Sequence, residues 1–174
     1  MNQYIRLLWV LLTARFRPAC PVLGPCYTSF RVGLTDLDML RHVNNGVYLS
    51  MGDVGRMDLL LRSGLWARLK RTMPFAVVAA ETIQFSRPLN LWQAFRLETC
   101  VLGWDDRFFY LQQRFLRGEQ AVATAVVALR FLRRSGGTVG PEEVLTTAGQ
   151  QLASPVLPPW VANWSTAMRG LRQQ

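Results

Sequence analysis

The chain has little of what metal, disulfide and serine-type sites require. Its 174 residues contain a single histidine, and its three cysteines, Cys20, Cys26 and Cys100, are an odd number without Cys-x-x-Cys spacing. Neither a disulfide framework nor a zinc site is therefore predicted. A glycine-rich phosphate loop is lacking too, which disfavours nucleotide hydrolysis. Free cysteines favour a reducing compartment, so we expect a cytoplasmic protein. Since the motifs of metal and nucleotide sites are lacking, we also expect no metal or other cofactor.

Lysine and negative charge are also scarce. The formal net charge is +9, and Lys70 is the only lysine, so the excess is carried by arginine. Arginine binds phosphate well, which leaves nucleic acid, an anionic membrane and coenzyme A as candidate partners. The arginines recur singly along the chain, so codon bias explains them equally well. We expect no nucleic-acid partner. The alternative hypothesis, nucleic-acid binding through the arginines, predicts that the affinity for DNA or RNA falls steeply with salt concentration.

The N-terminal segment, residues 1–25, contains an apolar patch from Ile5 to Leu12 that Arg15 and Arg17 close. The patch is too short to span a bilayer, and it lacks the small-x-small cleavage site of a signal peptide. Two readings remain. The favoured one is a helix packed on the domain or on a partner subunit, and the other is peripheral membrane contact through residues 5–17.

A helical pattern runs from Asn45 to about Leu61, and apolar residues occupy much of the circumference of the predicted helix. It contains Gly52 and Gly55, and each glycine costs roughly 1 kcal/mol relative to alanine inside a helix. We therefore expect the helix backbone to lie very close to another element. A sheet curled around the helix would provide that contact.

Strand-like alternation precedes the helix at 26–34 and follows it at 75–86, 94–102, 107–116 and 121–132. Short turns between the later strands predict a four-stranded antiparallel meander. The fold class is α+β, with a long central helix wrapped by a five-stranded or larger antiparallel sheet in one domain, residues 26–134. Residues 135–174 are predicted to form a C-terminal helix and an extended tail that pack on it.

Polar groups concentrate between Asp36 and Leu49, directly before and at the start of the predicted helix. The first N–H groups of a helix point outward unpaired, so they can bind an anion or a developing oxyanion. Thioester hydrolysis needs such donors, together with a carboxylate or imidazole that activates water or attacks directly. This loop supplies both kinds of group.

The pattern Asp-x-Asp-x-x-x-His-Val-Asn-Asn-Gly-x-Tyr-Leu resembles the signature of hotdog thioesterases of the 4-hydroxybenzoyl-CoA thioesterase type, and most closely their acyl-CoA thioesterase-like branch. The resemblance covers about Cys26 to Arg134. It implies a hotdog fold and hydrolysis of an acyl thioester of coenzyme A or acyl carrier protein. It also implies a homodimer or tetramer with the site at the subunit contact.

Carried over residue by residue, the family's catalytic carboxylate is Asp38, as general base or as nucleophile, and the N–H that polarises the thioester carbonyl belongs to Asn45 or Gly46. His42 matches a histidine of the catalytic group in the acyl-carrier-protein branch. That branch has an asparagine two residues after its aspartate, where this chain has Leu40. We therefore favour His42 as a residue that orients the loop through backbone hydrogen bonds. Without the motif, a turn-capping role would be preferred for Asp38.

Further candidates for substrate binding are less specific. Asn44 and Asn45 are expected first as helix caps, and a pairing of Asp53 with Arg56 is expected on the helix. Glu81 is expected to be buried on the face of Val77, Ala79, Ile83 and Phe85. The remaining predicted substrate contacts are Tyr48, Arg87, Arg133 and Arg134. Leu40 and the apolar N-terminus also suggest an alternative function, a non-catalytic hotdog protein that binds acyl-CoA or lipid at a membrane.

Overall fold

The computed structural model describes residues 3–72 and 75–170. Its helices are α1 (Gln3–Thr13), α2 (Asn45–Arg62), α3 (Leu65–Leu69), α4 (Pro141–Thr147) and α5 (Pro159–Gly170). Its strands are β1 (Cys26–Arg31), β2 (Phe75–Phe85), β3 (Ala94–Trp104), β4 (Phe109–Arg117), β5 (Gln120–Leu132) and β6 (Thr138–Val139). The predicted α+β class and its long helix are confirmed.

The strands form one antiparallel sheet in the order β1-β3-β4-β5-β2, with β6 paired to the end of β5. The predicted four-stranded meander is wrong, because β2 pairs with β5 at the far edge and only β3, β4 and β5 follow one another. Short turns make neighbours of those three strands. The longer connection at 86–93 takes the chain from β2 at one edge of the sheet, past β5 and β4, to β3. Leu89 within this connection is fully buried.

Helix α2 packs so closely on the sheet that side chains of the sheet contact the helix backbone at two glycines. A methyl group added at Gly55 would lie 2.5 Å from Leu97 Cδ2 on β3, and one at Gly52 would lie 2.8 Å from Gln113 Oε1 on β4. Larger residues on the same helix, such as Met51, are buried in the core. The expectation of a close backbone approach at these glycines is confirmed.

Helix α5 covers the opposite face of the sheet. Its Trp164 ring packs edge-on against Tyr110, and the Tyr110 hydroxyl donates to Asp105 Oδ2 at 2.5 Å. Arg169 at the end of α5 donates to the same carboxylate oxygen at 2.7 Å. The sheet therefore has helices on both faces, with α2 inside its curl.

Helix α1 lies along α2 with Arg6 and Val10 buried. Its other side exposes a broad apolar surface, the α1 apolar face, made of Tyr4, Ile5, Leu8, Trp9, Leu11, Leu12 and Phe16. Among the described residues, no helix combines the length and apolar character that crossing a bilayer would need.

Candidate functional site

The segment before α2 closes into a tight hairpin. The Asp38 N–H donates to the His42 carbonyl at 2.8 Å, and the Arg41 N–H donates to the Asp38 carbonyl at 3.0 Å. Leu37 and Val43 bridge on either side. Arg41, the last residue of the turn, has φ +64°, which is the left-handed conformation that closes a three-residue hairpin loop. The loop is thus held in one conformation by its own backbone.

The Asp38 carboxylate is half-buried in this turn. Its Oδ1 accepts hydrogen bonds from the N–H groups of Leu40 at 2.8 Å and His42 at 3.3 Å. Within residues 3–72 and 75–170, its Oδ2 makes no hydrogen bond. Asp38 therefore caps the turn through one oxygen and keeps the other available for chemistry.

His42 holds the loop through its main chain. Its N–H and its carbonyl both bond to Asp38, and it also bridges to Asn90 in the connection that leads into β3. Its ring makes no hydrogen bond to any described residue. Only main-chain groups of His42 hold the loop, so the expected hydrogen bond from the His42 side chain to backbone is not found among the described residues.

The first turn of α2 offers one free donor. The Asn44 side chain caps the helix by accepting from the Gly46 N–H at 2.9 Å, so the cap expected of Asn44 is confirmed. This bond engages the Gly46 donor. The Asn45 N–H has no partner in the described part of the chain, so of the two predicted donors Asn45 is the one open to a carbonyl oxygen.

Asp36, the first aspartate of the motif, has a structural role that the sequence analysis missed. It is 2% exposed and takes a two-pronged ion pair from Arg6 of α1, with Nη1–Oδ1 at 3.0 Å and Nη2–Oδ2 at 2.6 Å. The Gly33 N–H donates to Oδ2 at 2.7 Å. Burial alone would raise the pKa of this carboxyl, but the hydrogen bonds from Arg6 and Gly33 outweigh burial and lower it.

Two predicted substrate contacts lie in other surroundings than expected. Tyr48 is 2% exposed, with its ring edge-on to Phe85 and Phe115, so it serves the core and offers no surface to a substrate in this structure. Glu81 is half-buried on β2 opposite Val127. A bulge between Val78 and Ala80 shifts the alternation, so the expected face of Glu81 is wrong with respect to Val77 and Ala79.

The predicted phosphate-binding arginines differ in how far they are neutralised. Arg133 donates to both carboxylate oxygens of Glu143 at 2.6 Å. Arg134 is exposed and forms no ion pair with a described residue, and Arg87 is exposed just after β2. Arg134 and Arg87 are therefore freer than Arg133 to meet an anion.

The pairing expected between Asp53 and Arg56 is confirmed and is part of a larger network. The buried Arg56 guanidinium also donates to Gln113 Oε1 at 2.7 Å, and Gln113 Nε2 donates to the Gly52 carbonyl at 2.9 Å. This network ties the middle of α2 to β4. It accounts for both charged residues without a substrate.

Two of the three cysteines, Cys26 and Cys100, are poorly placed for nucleophilic catalysis. Cys26 is fully buried, and its pKa is raised well above the ordinary value by a hydrogen bond with Cys20 and by burial. Burial raises the pKa of Cys100 to about 11. Both thiols are protonated at neutral pH. In the described ranges, no cluster of three His, Cys, Asp or Glu side chains is arranged to hold a metal ion.

Two cavities flank α2. An apolar cavity of about 260 Å³, the α2 cavity, follows the second half of the helix between Asp53 and the short helices α3 and α4. A hollow of about 360 Å³ lies between α1 and the first turns of α2, where Asp36, Val47 and Ser50 line it. Asp38 lines neither of these two cavities.

Sequence relatives include two vertebrate proteins. Protein THEM6 of Xenopus laevis is 33% identical over 162 residues, which are 92% of this chain and 77% of that protein. Protein THEM6 of Danio rerio is 36% identical over 128 residues, which are 73% of this chain and 63% of that protein. The chain thus spans just over three quarters of the first relative and less than two thirds of the second.

Solved structures give the same fold. A gentisyl-coenzyme A thioesterase superposes with a TM-score of 0.59 at 20% identity, covering 71% of this chain and 99% of that one. A Pseudomonas aeruginosa protein superposes with a TM-score of 0.60 at 19% identity, covering 79% and 99%. The family model described as the thioesterase-like superfamily matches residues 32–165. With most of its length inside that match and a helix wrapped by an antiparallel sheet, the chain is a hotdog protein that belongs to the thioesterase-like superfamily.

Proposed function

We propose that the protein hydrolyses an acyl thioester of coenzyme A, or of acyl carrier protein, to a free acid and a thiol. One observation carries the proposal. Among the residues that the structure describes, nothing bonds to one carboxylate oxygen of Asp38 in the turn that leads into α2 or to the N–H of Asn45 at the start of that helix. A base and an oxyanion donor thus belong to one short, rigid loop.

In the proposed reaction, Asp38 Oδ2 takes a proton from water as the water oxygen attacks the thioester carbonyl carbon. The carbonyl oxygen becomes negative and accepts a hydrogen bond from the Asn45 N–H, which the positive end of the helix dipole strengthens. The C–S bond then breaks, and the thiolate leaves with the proton. Direct attack by Asp38 would instead form a mixed anhydride, which water hydrolyses to the same products.

Coenzyme A is the favoured carrier. Its phosphates need cations that internal carboxylates have not neutralised, and Arg87 and Arg134 meet that condition better than Arg133. The printed name of the gentisyl-coenzyme A thioesterase, which shares the fold, agrees with a coenzyme A substrate.

We further propose a homodimer, with a tetramer as the alternative, in which a second copy completes the site. The outer edge of β2 pairs with no described strand, and Phe75, Val78 and Phe85 on this strand are 56%, 38% and 40% exposed. Such an edge invites strand pairing with another copy. Size-exclusion chromatography with light-scattering detection should give at least twice the mass of the chain. A monomer at assay concentration would contradict this proposal.

Peripheral membrane contact through residues 5–17 is a separate proposal. The α1 apolar face is a large exposed apolar surface, with Trp9 66% exposed and Arg15 stacked on Phe16 at its end. The protein should float with vesicles that contain anionic lipid, and Trp9→Glu should abolish flotation. Leu152→Glu, at an exposed leucine outside α1, is the matched control and should float like the wild type. Equal loss in both variants would refute a contact specific to α1.

A non-catalytic binder is the second candidate function. It is favoured by the apolar α2 cavity and by Leu40, which is 75% exposed where the acyl-carrier-protein branch has asparagine. This protein would be stabilised thermally by acyl-CoA without releasing thiol, since a ligand that binds only the folded state raises the unfolding temperature.

A thiol-release assay tests the catalytic proposal and separates the two candidates. The panel is short, medium, long and aromatic acyl-CoAs, tested with the wild type, Asp38→Asn and Glu119→Gln. Loss of a general base lowers kcat/KM roughly 10²–10⁴-fold, and we expect this of Asp38→Asn alone. Glu119 is exposed in the β4–β5 turn and controls for the lost charge. Stabilisation by acyl-CoA without thiol release from any substrate would overturn catalysis and support the binder.

A further inference from the structure

A basic depression adjoins one end of the α2 cavity. The depression measures about 560 Å³ and is lined by Lys70, Arg71 and Arg134 together with Trp66 and Phe75. Trp66 and Phe75 also line the α2 cavity. The two aromatic side chains therefore form a common wall between an apolar space and a positively charged one.

The three cations of this depression are not neutralised by the protein. None of them forms an ion pair with a residue in 3–72 or 75–170, and no acidic residue lines the depression. The neighbouring Arg133, by contrast, is fully engaged with Glu143. The Arg134 N–H donates to the Thr72 carbonyl at 3.1 Å, which fixes Arg134 beside the end of α3. An anion in the depression would meet up to three cationic side chains.

The α2 cavity is suited to a single aliphatic chain. Every residue that lines it is apolar except Asp53 and Arg56, and these two form an ion pair with each other. Its volume of about 260 Å³ lies near the lower limit of roughly 300 Å³ for small-molecule sites, which favours a medium-length chain over a long one.

We infer that this composite site binds a medium-chain fatty acid, with the carboxylate among Lys70, Arg71 and Arg134 and the chain in the α2 cavity beyond Trp66 and Phe75. The shared aromatic wall puts the negative charge directly at the end of the chain. In acyl-CoA the long pantetheine arm separates the phosphates from the acyl group, so it matches this spacing less well. The Asp38 loop lines neither space, so the site is distinct from the proposed catalytic residues, although Arg134 is shared with the proposed coenzyme A contacts.

Calorimetric titration of the full chain with decanoate tests the inference. Decanoate should bind, and the double variant Lys70→Gln/Arg134→Gln should weaken binding about tenfold, because two charge-assisted contacts are lost. Arg133→Gln, next in sequence but already paired, is the matched control and should bind normally. Ala76→Trp, at an exposed position on β2 that lines the cavity, should block the chain and abolish binding.

Ligand controls separate the two halves of the site. Decanol lacks the charge and butyrate lacks the chain, so each should bind at least tenfold more weakly than decanoate. Decyl phosphate distinguishes the source of the negative charge, and we expect it to bind no more tightly than decanoate. No binding of decanoate, equal binding of decanol, tighter binding of decyl phosphate or equal weakening by Arg133→Gln would each overturn the inference.

The catalytic proposal does not enter this measurement. Asp38→Asn should bind decanoate like the wild type even though its kcat/KM for thiol release is expected to fall. A failure of thiol release and a failure of decanoate binding can therefore be read separately.

Discussion

Replacing Asp36 by asparagine removes the charge from a carboxylate that the structure fully encloses. The described donors to this group include two from Arg6 at 3.0 and 2.6 Å and one from Gly33 at 2.7 Å, and Arg6 itself is only 4% exposed. Removing one partner of a buried ion pair costs about 3–5 kcal/mol, mainly because the other charge stays buried without a partner. We expect Asp36→Asn to lower the free energy of unfolding by that amount.

A double-mutant cycle measured by urea unfolding at pH 7 checks the cause. Arg6→Met should also cost stability, since it removes the two side-chain hydrogen bonds that the buried Asp36 carboxylate accepts from Arg6. The double variant Arg6→Met/Asp36→Asn should be clearly more stable than the sum of the two losses predicts, because it leaves no lone charge buried. Additive losses, or single losses below about 1 kcal/mol, would refute a coupled buried pair.

The pH dependence of unfolding gives an independent check on the same pair. The pKa of Asp36 is lower in the folded chain than its ordinary value of 3.8. A carboxyl of this kind contributes its full stabilisation above the unfolded pKa and loses it as the pH falls through the folded pKa. The wild type should therefore lose more stability than Asp36→Asn when the pH is lowered from 6 to below 4. Parallel curves would contradict this explanation.

Three further substitutions test other parts of the fold by urea unfolding. Asp58→Ala should cost about 3–5 kcal/mol, because the fully buried Asp58 carboxylate accepts from Arg17 and Arg62; a loss below about 1 kcal/mol would contradict this. Arg41→Gly should stabilise the chain by up to about 1 kcal/mol, because the left-handed conformation strains a non-glycine residue; unchanged or lower stability would show no strain. Gly55→Val should cost roughly 2–3 kcal/mol by overpacking against β3; a gain would mean that helix propensity dominates there.

The central helix was predictable because its signals are local. Its apolar residues on most sides, its asparagine cap and its glycines occur within one stretch of sequence. The structure confirms Asn44 as the cap and the close approach of the sheet to the helix backbone at Gly52 and Gly55. Strand positions were also readable from alternation. The order of the strands was not, because periodicity says where a strand runs but not which neighbour a long connection reaches. The connection at 86–93 takes β2 out of the meander for that reason.

Charge partners between distant segments were beyond sequence reasoning. Arg6 and Asp36 are 30 residues apart, and Arg17 and Asp58 are 41 apart, so no spacing rule relates them. The bulge that turns Glu81 relative to Val77 is equally invisible in an alternating pattern. Within the motif, the sequence identified Asp38 as the candidate catalytic residue. The structural role of Asp36 became visible only from its burial in the folded chain.

The two aspartates of the motif show how one short loop divides stability from chemistry. Asp36 is enclosed and fully engaged, so it fixes the loop against α1 and contributes no free oxygen. Asp38 follows Asp36 in the loop. Its Oδ1 accepts the hydrogen bonds of the turn, and its Oδ2 accepts none from a described residue. A free carboxylate oxygen needs such an anchor, because water would otherwise solvate a mobile side chain and weaken its action as a base. Exchanging the two roles would bury the reactive oxygen and expose the anchor. The structural aspartate therefore comes first in the motif and the proposed catalytic aspartate second, because the loop passes α1 before it reaches the start of α2.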